Sequence, residues 1–113
     1  MILRVWNAWT DAARAERYVE LFRTSVGPHL CELPGFQRAK VATRPDGELV
    51  MITTILDFDD LASIEAFAGT DLERANVSDA ARELLVRFDE RVQHFAVRLS
   101  IGRAETALER SRS

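Results

Sequence analysis

FQRAKVATRPDGELVMITTIL, residues 36–56, is the stretch that decides the fold. Arg44-Pro45-Asp46-Gly47 gathers residues that set tight-turn backbone angles, and the flanking FQRAKVAT (36–43) and ELVMITTIL (48–56) are rich in apolar and β-branched residues. That combination predicts a β-hairpin. Along its second arm, Leu49, Met51, Thr53 and Ile55 alternate with Val50, Ile52, Thr54 and Leu56, so the strand is apolar on both faces. An antiparallel sheet that leaves one face to water carries polar residues there. Fully burying a side chain such as Leu or Met is worth roughly 1.5–3 kcal/mol, so a second copy of the chain is expected to cover the other face by two-fold symmetry. Trp6 and one register of the 48–56 strand, centred on Met51 or its neighbour Ile52, are expected at that contact.

Working outward, residues 2–9 (ILRVWNAW) predict a strand, and Thr10-Asp11 offers a helix cap. Apolar residues at 12, 15, 19, 22 and 26, with Tyr18 beside them, lay one stripe along a helix that Gly27-Pro28 ends or kinks. After the hairpin, Asp59 and Asp60 precede Leu61, Ile64, Phe67 and Ala68 at helical spacing, with Gly69 as a C-terminal cap. A short helical piece over 71–75 and a helix from Ser78-Asp79 presenting Ala81, Leu84, Leu85 and Phe88 follow, and RVQHFAVRLS (91–100) predicts the last strand. The order β-α-β-β-α-β is the split βαβ pattern: an α+β, ferredoxin-like domain with a four-stranded antiparallel sheet and its helices on one face. The domain is placed at residues 1–101, with a polar tail over 102–113 in which RAETALER could form helical turns.

The chain has 113 residues, the size of one domain, and a net charge of −3. Mixed charges and the absence of a basic excess disfavour a nucleic-acid partner. Cys31 is the only cysteine, which rules out an intramolecular disulfide. With neither a signal-peptide pattern nor an apolar run of about 18 residues, a cytoplasmic protein without membrane contact is expected.

The opening strand Ile2-Leu3-Arg4-Val5-Trp6, the helix with Tyr18, Leu33-Pro34-Gly35-Phe36, Ser63-Ile64-Glu65-Ala66-Phe67-Ala68-Gly69 and Val92-Gln93-His94-Phe95 together resemble the dimeric α/β-barrel superfamily, in particular antibiotic biosynthesis monooxygenase-like proteins. The resemblance implies a homodimer and one of two activities, cofactor-independent oxidation of aromatic polyketide compounds or oxidative degradation of heme. Asn7 matches the first-strand Asn of the heme-degrading branch. Phe58, however, stands where that branch has a Trp, and no His occurs between Phe58 and Phe88, which argues against heme ligation. No cofactor and no metal are therefore expected. The competing reading is a non-catalytic small-molecule-binding or stress-associated homodimer.

Cofactor-free oxygenation needs an electron-rich substrate that reacts with dioxygen once deprotonated, so the protein contributes a base, donors for the developing oxyanion and an apolar cavity. His94 and Asn7 are the candidate catalytic pair, and Trp9, Trp6 and Tyr18 the candidate substrate-binding residues. Strict alternation groups Asn7 and Trp9 with Leu3 and Val5, toward the helices, and turns Trp6 to the partner. His94 is expected near Trp6 or Arg4. Arg4, Arg38, Lys40 and Arg98 share a face by parity and are read as edge charges or as partners for acids of the second copy. Cys31 reads as a buried inert thiol and His29 as exposed and incidental.

Overall fold

The computed structural model describes residues 1–103. Strand β1 (Ile2–Thr10) leads into α1 (Ala12–Leu21), whose N-terminus is capped by Asp11, the carboxylate accepting the Arg14 N–H at 2.8 Å. Of the two outcomes expected at Gly27-Pro28, an end or a kink, the end does not occur. The chain widens into a π-helical turn, Phe22–Val26, in which the Gly27 N–H reaches back five residues to the Phe22 carbonyl, and then continues as α2 (Gly27–Cys31). Pro28 falls in the first turn of that last piece, where its missing N–H leaves no bond unmade.

The hairpin arms are longer than the sequence pattern suggests. Strand β2 (Phe36–Asp46) and β3 (Leu49–Phe58) meet at a two-residue turn, Gly47-Glu48, with Asp46 opposite Leu49. Gly47 has φ +63° and Glu48 a negative φ, which puts the glycine at the first central position of a type II′-like turn. Pro45 is tolerated because β2 lies at the sheet edge. Helix α3 (Leu61–Ala68) begins at Asp60, which accepts the Ser63 N–H at 2.8 Å. Helix α4 (Asp79–Leu84) begins at Ser78, and the Thr10 hydroxyl donates to its Leu84 carbonyl at 2.6 Å.

The sheet runs β2-β3-β1, all antiparallel, and two short strands share the free edge of β1: β4 (Arg87–Phe88) beside Ala8 and Trp9, and β5 (Gln93–Ala96) beside Ile2 to Val5. This is the ferredoxin-like arrangement, with the last strand interrupted. The single strand expected over 91–100 is broken because residues 90–92 pair elsewhere. Ala75 N–H donates to the Glu90 carbonyl at 2.9 Å and Val92 N–H to the Glu73 carbonyl at 2.7 Å. The same pairing removes the short helix expected over 71–75, which forms a turn and a bridge between Arg74 and Arg91 instead. The tail from residue 104, with its expected helical turns, lies outside the described residues. No helix among the described residues is long and apolar enough to cross a membrane.

From Met51 onward, burial alternates along β3. Ile52, Thr54, Leu56 and Phe58 are buried under the helices, and Met51, Thr53, Ile55 and Asp57 are half-exposed on the open face. On β1 the register is the reverse of the expected one. Arg4, Trp6, Ala8 and Thr10 face the helices, and Leu3, Val5, Asn7 and Trp9 share the open face with Met51 and Ile55. Two clusters form the core: Ala8, Tyr18 and Ile52 at one end, and Leu30, Phe58 and Ile64 at the other.

Candidate functional site

Between these two clusters the helices stand off the sheet and leave a cavity of about 290 Å³. Its floor is the inward register of the two central strands, Arg4 and Trp6 from β1 and Thr54 and Leu56 from β3. One wall comes from α1 and the π-helical turn through Tyr18, Phe22 and Val26, and the other from Phe67, Val77 and Ala81. The widened turn matters here, since Phe22 and Val26, its first and last residues, both line the space.

Two hydroxyl-bearing side chains, Tyr18 and Thr54, line this mainly apolar space. Tyr18 is 6% exposed, and burial raises its pKa above the ordinary 10.0, with the neighbouring Thr54 hydroxyl pulling weakly the other way, so it is a neutral phenol with a proton to donate. Thr54 Oγ1 is buried and makes no hydrogen bond of ordinary geometry among the described residues, although it lies close enough to Tyr18 to act on its proton. Thr54 is thus shielded beside Tyr18, and the Tyr18 hydroxyl is the group with capacity for a ligand. Trp6 lies over the same space, its ring centroid 6.5 Å from that of Tyr18 and 5.9 Å from that of Phe88, with its indole N–H donating out of the cavity to the Asp89 carbonyl at 2.6 Å.

The other expected site residues are not brought together. Asn7 sits on the open face, where its Oδ1 accepts the Thr53 hydroxyl at 2.8 Å and its Nδ2 lies 3.5 Å from Asp89. Trp9 is on that face too, its N–H bonded to Asp46 at 2.9 Å and the Arg87 guanidinium 4.0 Å over its ring. These placements correct the expectation that Asn7 and Trp9 point to the helices and Trp6 to a partner. His94 lies directly across from Arg4 in the β1–β5 ladder, as expected, and its Nε2 is 2.9 Å from Arg4 Nη1. Asn7 and His94 are therefore on opposite faces of the sheet and do not form one constellation.

Arg4 also parts from Arg38 and Lys40. It is turned inward, whereas those two lie on the open face of the edge strand, and Arg98 falls beyond β5. Cys31 is exposed, not buried. His29 is exposed as expected but not incidental, because it lines the cavity mouth with its ring 6.5 Å from that of Phe67. The sequence did carry a signal for Thr54, a lone hydroxyl in the otherwise apolar 50/52/54/56 register. No three His, Cys, Asp or Glu side chains among the described residues are grouped to hold a metal ion.

The Arg4 contact has a measurable consequence at His94. Burial first, and the Arg4 charge second, lower the imidazole pKa below its ordinary 6.5, with Glu73 opposing them. The unfolded chain therefore binds a proton below about pH 6.5 that the folded chain refuses until a lower pH. Above that value the group has no effect on stability, and below it the folded state is progressively disfavoured. His94→Asn, whose side-chain oxygen can still accept from Arg4, should narrow its stability gap to wild type between pH 7.5 and pH 5.5. Urea unfolding at the two values checks this, and an unchanged gap would refute it.

No family model matches the chain, and no curated protein matches it. Solved structures do. A monooxygenase of Streptomyces coelicolor in complex with Nanaomycin D superposes with a TM-score of 0.63 at 16% identity, covering 89% of this chain and 90% of that one. The fold is that of antibiotic biosynthesis monooxygenase-like proteins. One such protein from Deinococcus radiodurans gives a TM-score of 0.61 at 14% identity over 90% of this chain and 97% of its own. A dimeric ferredoxin-like protein from an uncultured marine organism gives 0.58 at 12% over 90% and 98%. At these identities the monooxygenase-like likeness is one of fold.

Proposed function

We propose that this chain binds a small, flat, largely apolar aromatic compound in the cavity and oxygenates it without a cofactor. One observation carries the reading: a mainly apolar cavity of about 290 Å³ is lined by the Tyr18 phenol, with the Thr54 hydroxyl beside it, which suits a ring system bearing an oxygen substituent. The S. coelicolor protein of the same fold, a monooxygenase complexed with Nanaomycin D, supports it.

In such a reaction a ring methylene beside a carbonyl loses a proton, and the resulting enolate reacts with dioxygen. One oxygen atom becomes the new carbonyl and the other leaves as water, with the electrons supplied by the substrate. Tyr18 would donate to the enolate oxygen, with the Thr54 hydroxyl beside it. The lone pair of His94 Nε2 is engaged by Arg4 and Asn7 is on the other face, so the proton acceptor in this reading is His29 at the mouth.

Oxygen uptake with anthrone tests this, with one dioxygen consumed per anthraquinone formed. Tyr18→Phe should lower the rate by on the order of 10- to 100-fold, and His29→Gln by a similar factor. Rates unchanged in both variants would remove the site assignment. Saturable binding with no turnover would leave the second reading, a non-catalytic binding protein, which is favoured by the lack of a buried free base among the described residues.

We further infer that the chain works as a homodimer through the open sheet face. Leu3, Val5, Met51 and Ile55 form an apolar patch there and Phe95, opposite Leu3, is 49% exposed. A second copy of the same face would remove this patch from water.

A further inference from the structure

Arg4 is the one charged residue buried in the wall of the cavity, 3% exposed. Taking a guanidinium out of water costs several kcal/mol unless an opposite charge meets it. Among the described residues none does: no ion pair includes Arg4. What holds it is neutral. Nη1 donates to the Leu72 carbonyl and to His94 Nε2 at 2.9 Å, Nη2 donates to the Arg74 carbonyl at 3.0 Å, and the Phe67 ring lies under the guanidinium at 5.6 Å. Burial lowers its pKa only to about 10, so the group is charged at neutral pH.

Of the five N–H donors of an arginine, these contacts use three. The Nε–H and a second Nη2–H have no acceptor among the described residues. Nε and Nη2 form one side of the fork with which arginine grips a carboxylate through two parallel bonds. No acid of a second copy packed on the open face can reach it, because Arg4 points away from that face. The neutral partners fix the fork in place and leave its charge uncompensated. That is the arrangement of a site organised in advance for an anion.

We propose that Arg4 is the anchor for a carboxylate carried by the aromatic ligand of this cavity. The inference rests on the cavity's being a ligand site, and adds what the ligand must carry. Trp6 lies two residues beyond Arg4 on the same strand, about 7 Å along it, and Thr54 is the cross-strand partner of Trp6. A fused-ring acid can therefore set its carboxylate on Arg4 and an oxygen substituent on the Tyr18 hydroxyl, which lies beside Thr54. Arg4 is then a specificity residue, selecting acids over neutral rings of the same shape.

Calorimetric titration of the full chain with 6-hydroxy-2-naphthoate and with 6-hydroxy-2-naphthamide decides it. The acid should bind about tenfold or more tightly than the amide at neutral pH, since charge-assisted bonds are roughly twice as strong as neutral ones. Arg4→Gln should abolish the preference while amide binding persists, and Arg4→Lys, which keeps the charge but loses the fork, should retain part of it. If Arg4→Gln does not fold, the wild-type ratio and Arg4→Lys still give the answer. Equal binding of acid and amide by the wild type would overturn the anchor and leave the cavity reading standing. Failure of both to bind would overturn the two together.

Discussion

Met51→Asp should turn a dimer into a folded monomer. Met51 is half-buried on the open face, paired across the ladders with Trp9 on one side and Arg44 on the other. In a single chain the new carboxylate would be solvated and lie beside the Arg44 guanidinium, so the monomer has little reason to unfold. In a face-to-face dimer the same carboxylate must be taken out of water together with its Arg44 neighbour, and that desolvation opposes association by several kcal/mol per ion. Two symmetry-related copies double the penalty, and a typical specific interface of about 1,600 Å² does not withstand it. Sedimentation velocity at micromolar concentration checks both halves. Wild type should sediment at twice the chain mass, and the variant at the chain mass with unchanged circular dichroism. A monomeric wild type would overturn the dimer. The neighbouring Ile52 is fully buried beneath the helices, and Ile52→Asp should unfold the chain instead.

That contrast also shows where the sequence was legible. In β3 two apolar registers could be separated by parity alone, and only their assignment to a face remained open. In β1 the assignment went the wrong way for a physical reason. Leu3, Val5 and Trp9 are more apolar than Arg4, Trp6, Ala8 and Thr10, so hydropathy places the first set inward. Yet Arg4 is held inward by carbonyls of Leu72 and Arg74, some 70 positions away, and Thr10 by the Leu84 carbonyl. Acceptors that remote leave no mark on local periodicity. The helices were legible through their caps, with Asp11, Asp60 and Ser78 each bonding the N–H three residues on.

The last strand was legible in kind but not in continuity. Residues 91–100 alternate well enough for one strand, but the chain swaps partners midway, since residues 73–75 offer 90–92 a second ladder. A five-residue helix over 71–75 would have had too few internal bonds to compete with that pairing. The site suffered for the same reason. Candidate residues were grouped by chemical type, Asn7 with His94, whereas the cavity selects by face. The face brings in Thr54 and His29 and leaves Asn7 and Trp9 out.

Gly35→Ala should destabilise the protein by roughly 3 kcal/mol, the sum of left-handed backbone strain and overpacking at about 1–2 kcal/mol each. Gly35 has φ +85°, which L side chains rarely adopt, and an added Cβ would lie 2.0 Å from Ser63 Oγ and 2.6 Å from Ser63 Cβ. Neither neighbour can step aside easily. Ser63 is in the first turn of α3, where both its N–H and its hydroxyl donate to Asp60 at 2.8 Å, and the Asp59 N–H donates to the Gly35 carbonyl at 2.8 Å. The turn and the start of α3 are thus locked against each other beside the cluster of Leu30, Phe58 and Ile64. Thermal unfolding at one fixed protein concentration should show a midpoint lower by roughly 10 °C or more. Combining Gly35→Ala with Ser63→Gly removes both clashing atoms but not the backbone strain, so the double variant should recover the overpacking share and no more. Recovery to the level of Ser63→Gly alone would mean that the positive φ costs nothing here. A loss below about 0.5 kcal/mol in the single variant would mean that the turn does not press on α3 at all.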